Sequence, residues 1–204
     1  MNPLNSIKGV WILGFVLAVI LGVVVNLTAT GSWFDFNHAE FWRWIHVIAG
    51  IVWIGLLYYF NFVQIPAVAQ AGSEAAPINR FVAPTALLWF RWAAVATWVS
   101  GAIYLAIIQQ FANVFTLGFA GGFDAAYGLP MGIGVWLGTI MLINVWALIW
   151  PNQKKVLGIV EASDEEKTKA KQIAKMASRT NVVLSIPMLM FMVAARGGVS
   201  VLAL

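Results

Sequence analysis

The sequence contains no cysteine. This absence excludes disulfides, thiolate metal sites, a cysteine nucleophile and covalent attachment of a c-type haem to this chain. Charged residues are also scarce, at 10% of the 204 residues, whereas soluble domains usually carry about a quarter. With 61% hydrophobic residues, the composition excludes a soluble fold and predicts a polytopic membrane protein.

Five apolar segments are long enough to cross a bilayer as helices, each of which needs about 20 residues. They are residues 10–27, 41–63, 83–109, 131–150 and 181–204. We therefore predict an all-α fold, a single membrane domain (1–204) of five transmembrane helices. Pro66 and Pro151 are expected to end the second and fourth helices, because proline cannot continue the helical hydrogen-bond ladder. The glycine-rich segment 111–127 is expected to form an interfacial loop.

Residues 152–180 form the strongly polar part of the chain. Seven Lys and Arg stand against four Asp and Glu there, a net of +3 out of the chain's +4. Because basic loops stay in the cytoplasm, we predict a cytoplasmic N-terminus, an external C-terminus and a location in the bacterial inner membrane. The charge indicates contact with anionic lipid headgroups and not with nucleic acid. Ser163 and Glu166 have the spacing of a capping box, so a helix should begin near Asp164 and continue into the fifth span.

Ionisable residues inside the predicted spans are few, and each is a candidate site because the bilayer penalises charge. They are Arg43, His46, Arg91 and Arg196. At ~1.5 Å per residue, His46 lies about 7 Å and Arg196 about 22 Å along their helices, both towards the outer face. An imidazole near guanidinium groups suits a b-type haem, with His46 as axial iron ligand and Arg43 or Arg196 at a propionate. Arg91, near the inner end of the third helix, does not belong with them. An interhelical hydrogen bond is the alternative for His46, and snorkelling to the membrane surface is the alternative for the arginines.

A lone span histidine leaves two haem geometries open: a five-coordinate iron, or His46 side chains of two protomers on one haem. His38 is expected in a solvated loop.

Gly134 and Gly138 form a small-xxx-small pair that allows close helix packing, either within the chain or between two copies. The predicted spans hold no acidic residue, which argues against proton- or sodium-coupled transport. Because the predicted spans offer no acid to pair with their arginines, we expect at least one of these arginines to contact a group outside this chain.

Three stretches resemble the membrane domain of the bacterial urate hydroxylases, the N-terminal urate oxidase family of integral membrane proteins. They are FWRWIHVIAGIVWIG (41–55), LWFRWAAVATWVSG (88–101) and LGTIMLINVWALIWPNQKK (137–155), with a weaker match over 178–195. The resemblance maps His46 to the span histidine of the family and Arg91 with Trp92 to its third-helix motif. It maps Asn144 and residues 150–155 to the end of the fourth helix. Family members commonly end in a c-type cytochrome domain, so this chain would need a separate electron partner.

The residues and the resemblance together predict an integral inner-membrane redox protein or redox subunit. It would bind haem b through His46, with Arg43 or Arg196 at a propionate, and pass electrons to a separate cytochrome or quinone. The alternative is a non-catalytic accessory subunit of a larger respiratory or photosynthetic membrane complex, and hydroxylation of a purine is the third hypothesis. In each case we expect a homo-oligomer or a larger membrane complex.

Overall fold

The structure, a computed structural model, describes residues 2–33, 36–119 and 125–195. Every regular element within these ranges is helical, which confirms the all-α prediction. The α-helices are α1 (Ile7–Thr30), α2 (His38–Tyr58), α3 (Ile65–Ala71), α4 (Ala83–Ile107), α5 (Phe111–Phe115), α6 (Ala125–Ile143), α7 (Trp150–Val156) and α8 (Asp164–Ala194). Contacts divide the chain into two units, Met1–His38 and Ala39–Leu204.

Five continuous helical segments are long and apolar enough to cross a membrane. They are Ile7–Thr30, His38–Ala75, Ile78–Ile107, Ala125–Val156 and Asp164–Ala194. Their number and order agree with the five predicted spans, and each begins earlier in the chain than its apolar run. Residues 196–204 of the predicted fifth span lie outside the described residues. The predicted interfacial loop contains the short helix α5 and residues 120–124, which are also outside the described residues.

The first unit contains α1. The hydroxyl of Ser6 caps its N-terminus by accepting the N–H of Gly9 at 3.0 Å. The helix ends at Gly31, whose φ of 72° is the left-handed conformation that glycine adopts at helix ends. None of the 24 residues of α1 is buried, so the helix presents apolar side chains on all sides, as a lipid-facing helix does.

Prolines in the second unit do not end their helices, contrary to the expectation for Pro66 and Pro151. A π-helical segment precedes each of three prolines: Tyr59–Gln64 before Pro66, Ile78–Val82 before Pro84, and Asn144–Ile149 before Pro151. In each case the residue before the proline donates its N–H to the carbonyl five residues back. The wider π turn relieves the clash between the proline ring and the preceding turn. The second segment therefore continues to Ala75 and the fourth to Val156.

The capping box predicted at the start of the fifth segment is confirmed. The Ser163 hydroxyl accepts the N–H of Glu166 at 3.2 Å, and the Glu166 carboxylate accepts the N–H of Ser163 at 2.9 Å. From this cap α8 runs for 31 residues, through Pro187, as one helix. The polar segment after Ser163 and the last apolar segment are therefore continuous, as predicted.

The second unit contains the second to fifth of the five helical segments, and these four segments pack in a ring. Neighbouring segments meet at Phe60 and Phe90 (ring centroids 5.5 Å apart), at Trp98 Nε1 and Thr139 Oγ1 (2.9 Å), at Gly138 and Met188, and at Tyr58 and Ser185 (3.0 Å between hydroxyls). Large side chains, among them Trp53, Leu57, Phe90 and Met141, fill the centre and are almost completely buried. The ring brings α2 against α4 on one side and α6 against α8 on the other.

Gly134 allows α6 and α8 to pack closely. A Cβ added at Gly134 would lie 2.8 Å from Cγ of Met192 and 3.3 Å from the carbonyl oxygen of Met188. The absent side chain therefore lets the two helices approach closely. Of the two alternatives for the Gly134 and Gly138 pair, the structure shows packing within the chain.

Candidate functional site

His46 lies in the third turn of α2 and its ring contacts α4. Its Nδ1 is 2.7 Å from the carbonyl oxygen of Thr97. Because a carbonyl can only accept a hydrogen bond, Nδ1 carries the proton and donates it. A neutral imidazole protonated at Nδ1 has its lone pair on Nε2. One hydrogen bond therefore fixes both the tautomer and the orientation of the ring.

A glycine of α4, Gly101, makes room for this imidazole between α2 and α4. A Cβ at position 101 would lie 2.7 Å from Nδ1 and 2.9 Å from Cε1 of His46, so the ring occupies the space that a side chain would take. One turn along α2, a Cβ at Gly50 would lie at an ordinary 3.7 Å from Cγ2 of Thr97, so this position does not require a glycine. The space left at Gly101 is what lets the His46 ring come within reach of a backbone carbonyl.

The second ring nitrogen of His46 is not engaged by the part of the chain that the structure describes. Nε2 forms no hydrogen bond there, whereas Nδ1 is bonded to Thr97. Metal-ligating histidines usually donate their other N–H to a carbonyl or carboxylate, which orients the ligating nitrogen. His46 thus makes the interhelical hydrogen bond that was the alternative to a ligand role, and the same bond leaves the ligating atom free.

The arginine nearest to His46 in the sequence, Arg43, has a partner in its own helix. Its guanidinium forms an ion pair with Glu40, three residues earlier, and the two side chains are 32% and 49% exposed. The predicted second span began at residue 41 and so omitted this acid, but α2 begins at His38. The expectation that the span arginines lack an acidic partner in their own helices is wrong for Arg43.

The other predicted residues of the outer site are placed as follows. His38 is the first residue of α2 and not part of a loop; it is exposed, and its ring contacts Phe36 with centroids 4.8 Å apart. Arg196, predicted to contact a propionate, lies outside the described residues. Within residues 2–33, 36–119 and 125–195, no three His, Asp or Glu side chains form a metal-ion site, but an axial haem ligand requires one imidazole only. The free Nε2 of His46 fits that requirement. The guanidinium of Arg43 would have to divide its five N–H donors between Glu40 and a propionate.

Arg91 lies against an aromatic ring on the neighbouring helix. Its guanidinium carbon is 3.8 Å from the centre of the Trp150 indole, and the Lys154 ammonium is 5.9 Å from the same ring. The adjacent Trp92 meets Trp146 edge to face, with ring centroids 5.5 Å apart. Arg91 and Trp92 therefore dock on two tryptophans that are one helical turn apart, and Arg91 does not share the site of His46.

A polar cluster inside the bundle was not anticipated from the sequence. Its interhelical hydrogen bonds are Asn61 Nδ2 to Ser178 Oγ (2.8 Å), Asn144 Nδ2 to Asn181 Oδ1 (2.9 Å), Asn181 Nδ2 to the Met141 carbonyl (3.0 Å) and Tyr58 to Ser185 (3.0 Å). The spacing of Ser178, Asn181 and Ser185, at intervals of three and four residues, is the signal that could have revealed it, because such residues share one helix face. We call the six side chains of these bonds, Tyr58, Asn61, Asn144, Ser178, Asn181 and Ser185, the Asn181 cluster.

Residues 103–201 match the sequence model of the family described as Urate oxidase N-terminal. This match confirms the resemblance inferred from the sequence. It includes the stretches 137–155 and 178–195, and it begins after His46 and Arg91. No curated protein and no solved structure was found to match the chain.

Proposed function

Starting from the match of residues 103–201 to the urate oxidase N-terminal family, we propose that the chain is a membrane redox protein or redox subunit. In this proposal Nε2 of His46 is an axial ligand of haem b. The observation that carries it is the hydrogen bond from Nδ1 of His46 to the Thr97 carbonyl, which leaves the Nε2 lone pair available. When bound, a haem supplies reversible one-electron transfer.

The protein contributes orientation and charge at this site. The Thr97 carbonyl holds the ring, and Gly101 leaves the space that the ring occupies. Arg43 lies about one turn before His46 on the same helix, and its guanidinium can donate to a propionate as well as to Glu40. Arg196 is the other candidate for a propionate. A separate cytochrome or quinone would then accept the electrons.

The orientation that we propose places the N-terminus and the basic segment 152–180 in the bacterial cytoplasm. The excess of Lys and Arg in that segment supports it. Topology reporters fused after Gln153 and after Leu204 should give cytoplasmic and external signals respectively. A cytoplasmic signal from the second fusion would contradict five crossings.

The two histidines of the chain provide a matched test of the haem proposal. Wild-type protein, His46→Ala and His38→Ala would be expressed with sufficient iron, purified without a histidine tag and compared by visible absorption. We expect a b-type Soret band in the wild type and in His38→Ala, and none in His46→Ala. Circular dichroism should show equal helix content in all three, because folding and insertion depend on the apolar segments. A wild type without haem, or a Soret band retained in His46→Ala, would contradict the proposal.

An accessory role in a larger membrane complex is the second candidate function, and α1 is the observation that favours it. This helix has no buried residue, and a Cβ at Gly14 or Gly22 would meet nothing within 4 Å. Such a helix has room for a partner helix at its small residues. Purification from the native membrane distinguishes the two functions: stoichiometric large subunits together with a haem-free chain would favour the accessory role.

A further inference from the structure

Hydrogen-bond donors without acceptors gather where α4 meets the end of the fourth helical segment. Arg91 and Lys154 both lie against the Trp150 ring, at 3.8 and 5.9 Å. Neither forms an ion pair or a hydrogen bond with any residue that the structure describes. The indole Nε1 of Trp146, one turn before Trp150, is buried and also has no partner there. The next lysine, Lys155, differs because it pairs with Glu166 at 3.8 Å.

The Trp150 ring attracts Arg91 and Lys154 but does not accept hydrogen bonds from their N–H groups. An indole face attracts a cation, but a stacked guanidinium keeps its N–H donors at its edge, in the plane of the group. Charge left uncompensated within an apolar helix is costly, so Arg91 requires an acceptor close to its edge. The residues that the structure describes supply none, so the acceptor lies outside them.

We propose that Arg91, Trp150 and Lys154 bind the phosphate of an anionic lipid headgroup at the inner membrane surface. Phosphate oxygens match the paired N–H donors of a guanidinium, and Lys154 adds a second positive charge. Tryptophan is typical of the membrane interface, and the basic segment 152–180 begins directly after Trp150 and Pro151. This proposal is independent of the haem site, because Arg91 and His46 lie in separate parts of the bundle.

Lipid-dependent stabilisation measures this binding, because a ligand of the folded state raises the unfolding temperature. The probe is phosphatidylglycerol added to the purified full chain in detergent, with phosphatidylcholine as the zwitterionic reference. Arg91→Gln is compared with Arg80→Gln, which removes the same charge from the same helical segment. Arg80 is exposed and lies over Phe81 at 5.3 Å, so it is a matched stacked arginine outside the site.

We expect phosphatidylglycerol to raise the unfolding temperature of the wild type and of Arg80→Gln more than phosphatidylcholine does. Arg91→Gln should weaken the apparent affinity for phosphatidylglycerol about tenfold, as the loss of a charge-assisted hydrogen bond implies. Lys154→Gln should also reduce the shift, and it replaces Arg91→Gln as the test if that variant does not fold.

Three results would overturn the proposal. The first is an equal response of the wild type to the two lipids. The second is an equal loss in Arg80→Gln and Arg91→Gln, which would indicate general attraction of charge. The third is an equal stabilisation by inorganic phosphate at matched ionic strength, which would assign the site to soluble phosphate and not to a lipid.

Discussion

Asn181 and His46 are both polar residues between apolar helices, but the described chain bonds both side-chain polar atoms of Asn181 and only one ring nitrogen of His46. In the Asn181 cluster, Asn181 and Ser185 are fully buried, and their side chains donate and accept within the bundle. At His46, one nitrogen is bonded to Thr97 and the other has no partner in the described chain. A polar residue in an apolar helix therefore indicates packing or binding according to which of its atoms remain unbonded.

The strongest test of this comparison is a substitution that fills the space of the His46 ring. In Gly101→Val the new side chain would overlap the imidazole, because even a Cβ there lies 2.7 Å from Nδ1. Loss of an orienting contact typically lowers metal affinity about 10- to 100-fold, and we expect haem content to fall accordingly. Gly55→Val is the control, because Gly55 is exposed on α2 and its Cβ would meet nothing within 4 Å. Equal haem content in the two variants would contradict the role of Gly101.

Gly134→Ala should destabilise the bundle without touching either polar region. Its methyl group would lie 2.8 Å from Cγ of Met192, and such overpacking typically costs about 1–3 kcal/mol. Gly138→Ala is the matched control, because its nearest neighbour would be the Met188 sulfur at an ordinary 3.5 Å. Denaturation in detergent measures both. A similar cost at the two positions would show that the α6–α8 contact is looser than the structure indicates.

Asn181→Leu probes the Asn181 cluster directly. It leaves Nδ2 of Asn144 without its acceptor and should cost about 1–2 kcal/mol of stability, with haem content unchanged. A double-mutant cycle with Asn144→Leu should give a coupling of about 0.6 kcal/mol, as is usual for hydrogen bonds between membrane helices. Haem loss in Asn181→Leu would mean that the cluster supports the cofactor site and is not only structural.

The smallest effect is expected from Glu40→Gln. The side chains of Glu40 and Arg43 are 49% and 32% exposed. Exposed ion pairs typically contribute less than about 1 kcal/mol to the free energy of unfolding. Unfolding measured at low and high salt should show only a minor difference between this variant and the wild type. A larger loss of stability, or a loss of haem, would assign Glu40 a role in holding Arg43 for the cofactor.

The parts of the fold that follow local rules were predictable. The pairing of Ser163 with Glu166 gave the correct start of α8, because a capping box is encoded by residues three apart. Pro151 was interpreted as a helix end because the local rule assumes a regular α-helical ladder, whereas the π segment before it lets the helix continue. Glu40 was missed because the apolar run begins one residue later than this acid.

The candidate site was predictable only in part. His46 and Arg91 stand out in the sequence because ionisable residues are rare in apolar spans. Their partners do not, because Thr97 contributes a backbone carbonyl that no residue type encodes, and Trp150 is one of 11 tryptophans. Identifying which nitrogen of His46 is free required the relative position of α2 and α4.

The proposal that His46 is held through Nδ1 and binds haem through Nε2 can be tested by 15N NMR of histidine-labelled protein. In the His38→Ala variant, purified without a histidine tag, His46 is the one labelled histidine. We predict a protonated Nδ1 and an unprotonated Nε2 in the haem-free protein, with the Nε2 resonance changed on addition of haem. A proton on Nε2, or a spectrum that haem leaves unchanged, would contradict it.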